Sequence, residues 1–129
     1  MFAIWSPLFD GKGLDSEFVT DANGLELITR SVYVKDSAPV SSSFYPVTTT
    51  ISASDKETRV AMTIRNDRPQ AGSVHYDGTI KLLIDRRVTT IDEGGIPEKM
   101  RLDFKDNLRL NFRLEFQSYE EAWTQVSKA

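Results

Sequence analysis

Apolar and polar residues alternate with a period of two along much of this chain. The clearest run ends at Gln117 and has five apolar positions separated by polar ones: Leu108, Leu110, Phe112, Leu114 and Phe116. Such alternation is typical of a strand with one buried and one solvated face, and it favours an antiparallel sheet. We therefore predict that these five side chains point into a hydrophobic core.

Shorter segments repeat the pattern and predict further strands at residues 25–34, 47–54, 60–65, 81–88 and 102–104. Turn-forming residues separate the strands at 21–24, 54–57 and 106–107, and loops are expected at 11–16, 37–43, 67–72 and 92–97. Ser118 and Glu121 have the spacing of a capping box, which predicts a short C-terminal helix. The sequence therefore predicts an all-β fold, an antiparallel β-sandwich with a short C-terminal helix, in a single domain spanning residues 1–129.

The composition narrows the range of functions. The chain has 129 residues, of which 40% are hydrophobic and 27% charged, and its formal net charge is -3. No stripe of Lys and Arg accompanies that mild charge, so neither nucleic acid nor a membrane is expected as a partner. The chain has no cysteine, which excludes disulfides and thiolate metal sites. The opening residues lack the basic region of a signal peptide, so no targeting signal is expected in this chain.

Few residues suggest chemistry. His75 is the only histidine, and we expect it on the surface or in a loop rather than in a metal site or a catalytic triad. Asp92 and Glu93 are the carboxylates to consider for glycoside hydrolysis, but adjacent residues rarely face each other across a bond. We therefore predict no catalytic and no metal-binding residue. Candidate carbohydrate contacts are Arg68, Asp92 and Glu93, whereas the aromatic residues Trp5, Tyr33, Tyr45, Tyr76 and Trp123 are expected mainly in the core.

Several short motifs occur in a fixed order between residues 16 and 98. They are residues 18–24, 44–47, 67–73, 77–78, 85–87 and 92–95. In this order and spacing they resemble the β-rich region that follows the catalytic domain in family 38 glycoside hydrolases, the lysosomal and Golgi α-mannosidases. The sequence departs from the family pattern at Ile91 and Gly94, which stand where the family has an aspartate and an arginine.

The resemblance implies a parent enzyme that hydrolyses α-linked mannose in a lysosomal, vacuolar or other secretory-pathway compartment. It places the zinc ion and the catalytic carboxylates in the parent's catalytic domain, so no cofactor is expected in this chain. The chain alone is predicted to be inactive, with the parent's catalytic domain and mannose-containing glycans as partners. The matching residues expected to have structural roles are Asp21, Asn23, Gly24, Asp67, Gln70, Gly72, Ser73, Asp77, Gly78, Arg86, Arg87 and Gly95.

These observations predict a non-catalytic β domain of an α-mannosidase, part of a larger protein, that supports and lines the catalytic site. Two alternatives remain open: a free-standing carbohydrate-binding module and a protein-interaction sandwich. A domain that packs against another would expose an apolar patch, which we expect at residues 2–8 and around Trp123.

Overall fold

Short strands joined by turns make up most of the computed structural model, which describes residues 2–4, 17–32, 43–84 and 109–127. Within these ranges the strands are β1 (Phe2–Ile4), β2 (Glu17–Asp21), β3 (Leu27–Ser31), β4 (Tyr45–Val47), β5 (Thr50–Asp55), β6 (Val60–Asn66), β7 (Gln70–Val74), β8 (Ile80–Leu83) and β9 (Phe112–Ser118). The helix α1 (Tyr119–Ser127) follows β9 directly. The backbone N–H of Glu121 donates a hydrogen bond to Ser118 Oγ over 3.4 Å, as an N-cap requires.

The strands form two sheets, and neighbouring strands in each sheet are antiparallel. The four-stranded sheet has the order β1-β8-β7-β4, and the five-stranded sheet has the order β3-β2-β5-β6-β9. The prediction of an all-β antiparallel sandwich with a short C-terminal helix is confirmed. In the part of the chain that the structure describes, no helix is both long and apolar enough to span a bilayer.

The core lies between the two sheets because alternate side chains of each strand point to the same face. The five-stranded sheet contributes Phe18, Ile51, Ala53, Met62 and Ile64, and the four-stranded sheet contributes Val47, Val74, Ile80 and Leu82. Each large apolar side chain buried in this way stabilises the fold by roughly 1.5–3 kcal/mol.

Two aromatic rings extend the core toward β3. The rings of Phe18 and Tyr45 pack edge to face with their centroids 5.8 Å apart, and the Arg30 guanidinium lies 4.9 Å from the Tyr45 centroid. Tyr45 is half-buried against the core, whereas Tyr76 is exposed. The structure does not describe the side chains of Trp5, Tyr33 and Trp123.

The predicted strand at 47–54 is two strands. β4 ends at Val47 in the four-stranded sheet, and β5 begins at Thr50 in the five-stranded sheet, so the chain crosses between the sheets at Thr48 and Thr49. Thr49 is exposed at this crossing. The β-branched residues fit both strands and give no sign of the break.

The prediction that the apolar side chains of β9 are all buried is wrong. Leu114 and Phe116 are 43% and 51% exposed, although they pair with Ile64 and Met62, which are 1% and 0% exposed. Phe112 is half-buried against the core, Leu110 is half-buried, and Leu108 lies outside the described residues. The face is assigned correctly, but nothing in the described part of the chain covers its outer strand.

Other boundaries also differ from the prediction. The expected loop at 67–72 is partly strand, since β7 begins at Gln70, and β2 was not predicted at all. The expected turn at 54–57 is shifted, because β5 extends to Asp55 and the turn occupies residues 56–59, where Arg59 has a φ of 55°. The predicted strand at 102–104, the turn at 106–107 and the loops at 11–16 and 92–97 lie outside the described residues.

Candidate functional site

Arg68, a candidate carbohydrate contact, is engaged with its own chain. Its Nη2 donates a hydrogen bond to the Arg109 carbonyl over 3.1 Å, and its Nε donates to Asp67 Oδ1 over 3.4 Å. The neighbouring Asp67 Oδ2 accepts hydrogen bonds from the backbone N–H and the side-chain amide of Asn111, at 3.0 and 3.1 Å. These contacts tie the turn after β6 to the residues that lead into β9.

The Asp67 carboxyl is held mainly as the carboxylate. Partial desolvation would raise its pKa, but the two hydrogen bonds from Asn111 and the charge of Arg68 outweigh that effect and lower the pKa below its ordinary value. The Arg68 side chain nevertheless remains 45% exposed. Arg68 thus has a bracing role and can still present a donor to a ligand.

The other two candidate contacts, Asp92 and Glu93, lie outside the described residues, as do Arg86, Arg87 and Gly95. Their roles therefore remain predictions.

Asp21 links the two sheets. Asp21 Oδ1 accepts hydrogen bonds from the backbone N–H groups of Thr49 and Thr50, at 2.9 and 2.8 Å, and Asp21 Oδ2 accepts one from the Thr49 hydroxyl at 2.6 Å. The Asp21 carbonyl accepts a further bond from the Thr48 N–H at 2.9 Å. Asp21, which is 3% exposed, therefore satisfies the backbone where the chain crosses from β4 to β5.

Asn23 and Gly24 form the turn that follows. Asn23 Oδ1 accepts hydrogen bonds from the backbone N–H groups of Leu25 and Glu26, at 2.9 and 3.1 Å. Gly24 has a φ of 77°, a conformation that side-chain-bearing residues adopt at a cost. Leu25 beyond this turn is 88% exposed.

The motif residues of β7 are buried or half-buried. A Cβ on Gly72 would lie 2.8 Å from Val47 Cγ2 and 3.0 Å from Ile51 Cδ1, so only glycine fits there without displacing the core. Ser73 is fully buried, and both polar atoms of the Gln70 carboxamide are buried without a hydrogen-bond partner among the described residues.

His75 begins a tight turn, one of the two positions expected for it, but it is only 7% exposed and therefore not on the surface. Its N–H donates to the Thr79 carbonyl and its carbonyl accepts from the Gly78 N–H, each at 2.9 Å. Burial lowers the pKa of His75, as does the nearby Lys81. Asp77 accepts a hydrogen bond from the Thr79 N–H at 3.0 Å, and Gly78 has a φ of 79°.

A cavity missed by the sequence analysis lies on the outer face of the five-stranded sheet, at the helix. Its volume is about 90 Å³, and its polar lining comes from Thr50, Ser52, Thr63, Arg65 and Gln117. Val19, Leu27 and Ala122 complete the wall. The Ser52 and Thr63 hydroxyls are 2.8 Å apart, and Arg65 donates to Glu115 over 3.1 Å. The alternating hydroxyls of β5 and β6 were the one signal available from the sequence.

The described residues do not gather three His, Asp or Glu side chains in a group able to hold a metal ion. The chemistry that this arrangement supports is hydrogen bonding to a polar ligand, through hydroxyls and guanidinium groups.

Comparison with characterised proteins identifies relatives for most of the chain. It is 32% identical over 100 residues to lysosomal alpha-mannosidase of Mus musculus, an alignment that covers 72% of this chain and 10% of the relative. Identity to Alpha-mannosidase 2 of Drosophila melanogaster is 32% over 93 residues, covering 72% of this chain and 8% of the relative. The human lysosomal alpha-mannosidase is 33% identical over 89 residues, with 64% and 9% covered. No protein-family model matches the chain.

These relatives are glycosidases, so the chain is a β-sandwich related to part of a glycoside hydrolase. More specifically, it is homologous to a region of the family 38 α-mannosidases, as its motifs predicted. The chain spans about a tenth of the length of the relatives it matches.

Proposed function

We propose that this chain is a non-catalytic β domain of an α-mannosidase that supports the enzyme's catalytic domain. The observation that carries the proposal is homology to two lysosomal alpha-mannosidases and one Alpha-mannosidase 2. The alignments cover about two thirds or more of this chain but only about a tenth of the length of each relative. A segment of that size is one domain of a much larger protein.

The residue content supports a non-catalytic role. Zinc-dependent hydrolysis needs several His, Cys or carboxylate ligands that converge, and this chain has one histidine and no cysteine. The described residues do not fit a zinc ion, so we assign the zinc and the acid–nucleophile carboxylate pair to the catalytic domain of the parent enzyme. The chain's own residues hold turns and cross-sheet links.

The parent enzyme, in this proposal, hydrolyses α-linked mannose in glycans. Its compartment is lysosomal or elsewhere in the secretory pathway, since relatives named lysosomal alpha-mannosidase align with the chain. Its catalytic domain is the main partner of this chain.

The test compares the isolated chain with the longer polypeptide that contains it. The chain with added zinc is incubated with an activated α-mannoside, and we expect no turnover, whereas the longer polypeptide cleaves the substrate. Turnover by the isolated chain that disappears in Asp92→Asn would overturn the proposal. A longer polypeptide without a zinc-binding catalytic domain would also contradict it.

Direct carbohydrate binding is the second candidate function, and the cavity on the five-stranded sheet favours it. Three hydroxyls and the Arg65 guanidinium line this cavity, and sugar hydroxyls bind such groups. Titration of mannose into labelled chain, followed by NMR, tests this candidate. Saturable shifts at Thr63 and Arg65 locate binding in the cavity, shifts around Arg68 locate it at the predicted contacts, and no saturable shift rejects carbohydrate binding.

A further inference from the structure

The bend between β2 and β3 contains an Asn-Gly pair that is open to solvent. Asn23 and Gly24 are both exposed, and Gly24 has a φ of 77°. Because glycine has no Cβ, no side chain shields its backbone nitrogen from the carboxamide of the residue before it. Attack of such a nitrogen on an asparagine carboxamide releases ammonia, which is one reason why asparagine is a thermolabile residue.

The hydrogen bonds of Asn23 suit its carboxamide to this reaction. Oδ1 accepts from the backbone N–H groups of Leu25 and Glu26, at 2.9 and 3.1 Å. These two donors stabilise the negative charge that develops on Oδ1 when the carboxamide carbon is attacked, as the donors of an oxyanion hole do. Nδ2 is the nitrogen that would leave, and it donates no hydrogen bond to another described residue.

Two other asparagines in the described part of the chain are held in the opposite way. Nδ2 of Asn66 donates to two backbone carbonyls, and Nδ2 of Asn111 donates to Asp67 Oδ2 over 3.1 Å. In both residues the leaving nitrogen is therefore anchored, and the residue that follows each one has a side chain. Asn23 differs from them in its exposure, in its hydrogen bonds and in the glycine that follows it.

We propose that Asn23 is a site of spontaneous deamidation, with water as the co-reactant. The Gly24 nitrogen attacks Asn23 Cγ to form a succinimide, an intramolecular step that proximity favours. The Cγ–Nδ2 bond breaks, and ammonia leaves with the proton that the Gly24 nitrogen has lost. Water then opens the ring: cleavage of the new Cγ–N bond gives aspartate, and cleavage of the original peptide C–N bond gives isoaspartate. Nothing is oxidised or reduced, and the chain gains one negative charge. This inference does not depend on the α-mannosidase assignment.

The isoaspartyl product disturbs the bend that Asn23 closes. Its main chain runs through Cγ, so the oxygen that accepts from the Leu25 and Glu26 N–H groups is displaced. The added charge also falls near Asp21, because the bend passes close to that carboxylate: a Cβ on Gly24 would lie 4.0 Å from Asp21 Oδ2. Like charges at short range repel. Deamidation should therefore weaken the β2–β3 connection.

Ageing of the native chain, followed by peptide mapping with mass spectrometry, tests the site. The peptide that contains Asn23 should gain the mass difference between an oxygen atom and an NH group, at a rate that rises with pH because the attacking nitrogen must lose its proton. The same chain in denaturant gives the rate that sequence alone sets for each asparagine. Folding should slow Asn66 and Asn111 by a larger factor than Asn23. A rate at Asn23 that falls by the same factor or more overturns the proposal.

Two variants are matched controls for the chemistry. Asn23→Gln keeps a carboxamide but moves its carbon one bond further from the Gly24 nitrogen, and Gly24→Ala adds a methyl group beside that nitrogen. Each should lose most of the ammonia release, and release at the native rate from Asn23→Gln would place the reaction elsewhere and overturn the proposal. Asn23→Asp carries the added charge on a normal main chain. The isolated isoaspartyl product should unfold at a lower denaturant concentration than Asn23→Asp, and equal midpoints would overturn the effect on the bend.

Discussion

At the scale of single residues, Asp21 has several contacts that depend on its charge. Burial alone would raise the pKa of this carboxyl, but the hydrogen bonds from the Thr49 hydroxyl and from the N–H groups of Thr49 and Thr50 outweigh burial and lower the pKa. The carboxylate is therefore the form that stabilises the crossing between the sheets. A group whose pKa is lower in the folded than in the unfolded chain contributes stability above the unfolded pKa and loses it as the pH falls.

Asp21→Asn should destabilise the chain in a pH-dependent way. The amide presents its own N–H groups where Asp21 only accepts, and an unsatisfied buried group costs about 1–3 kcal/mol. The difference in unfolding free energy between the native chain and Asp21→Asn should be largest near neutral pH. It should shrink as the pH falls below the ordinary value of 3.8 and through the lowered folded pKa. Urea unfolding at pH 7 and pH 3 measures it, with the exposed Glu26→Gln as the control for loss of charge; a difference that is constant with pH would contradict the assignment.

Gly72→Ala should destabilise the core by overpacking. The added methyl would lie 2.8 Å from Val47 Cγ2 and 3.0 Å from both Ile51 Cδ1 and Leu82 Cδ2, and such crowding typically costs about 1–3 kcal/mol. Because Val47→Ala opens space at the nearest contact, the double variant should be more stable than the sum of the two single changes predicts. Chemical denaturation of the four chains measures the coupling, and strict additivity would mean that the methyl is accommodated elsewhere.

At the scale of the elements, period-two patterns were sufficient to predict the sheet type, the inward face of β9 and strands over most of β5 and β6. The break at Thr48 and Thr49 was not predictable, because β-branched threonines suit a strand and the break depends on Asp21, which is distant in sequence. β7 was missed because Gly72 and its polar neighbours are typical of a turn, whereas the glycine is required by packing.

The candidate site was less predictable than the fold. The cavity on the five-stranded sheet is lined from β2, β3, β5, β6, β9 and α1, so the alternating hydroxyls of β5 and β6 were not sufficient to locate it. A surface location for Arg68 was predictable because arginine is a charged residue. Its hydrogen bond to the Arg109 carbonyl was not, because it joins residues 41 positions apart in the sequence.

Two phenylalanines of the five-stranded sheet should differ strongly in their contribution to stability. Phe18 is 1% exposed within the core, so Phe18→Ala should cost about 3–5 kcal/mol, the usual loss for a buried phenylalanine. Phe116 is 51% exposed, so Phe116→Ala should cost about 1 kcal/mol or less in the dilute monomer. Equilibrium unfolding at low chain concentration compares the two variants. Similar losses would mean that Phe116 is buried by a part of the chain outside the described residues.

At the scale of the whole molecule, the two sheets share one core and one crossing. Val47 and Leu82 from the four-stranded sheet and Ile51 from the five-stranded sheet all approach the same glycine. The Asp21 carboxylate, at the end of β2, fixes the first residues of β5 immediately after β4 leaves the other sheet. Neither sheet can bury its apolar face without the other, which favours a single cooperative unit.

Amide hydrogen exchange should therefore report one unfolding event for both sheets. The backbone amides of Ile64 in β6 and Leu82 in β8 lie in interior strands of different sheets, and we expect them to exchange with the same opening free energy under conditions where exchange is limited by global unfolding. Gly72→Ala, although its backbone belongs to the four-stranded sheet, should lower both values equally, because its methyl crowds side chains from both sheets. The matched control is Leu25→Ala, whose side chain is 88% exposed and which should change neither value. A loss of protection confined to Leu82 would mean that the four-stranded sheet opens by itself, and the chain would then be two folding units rather than one domain.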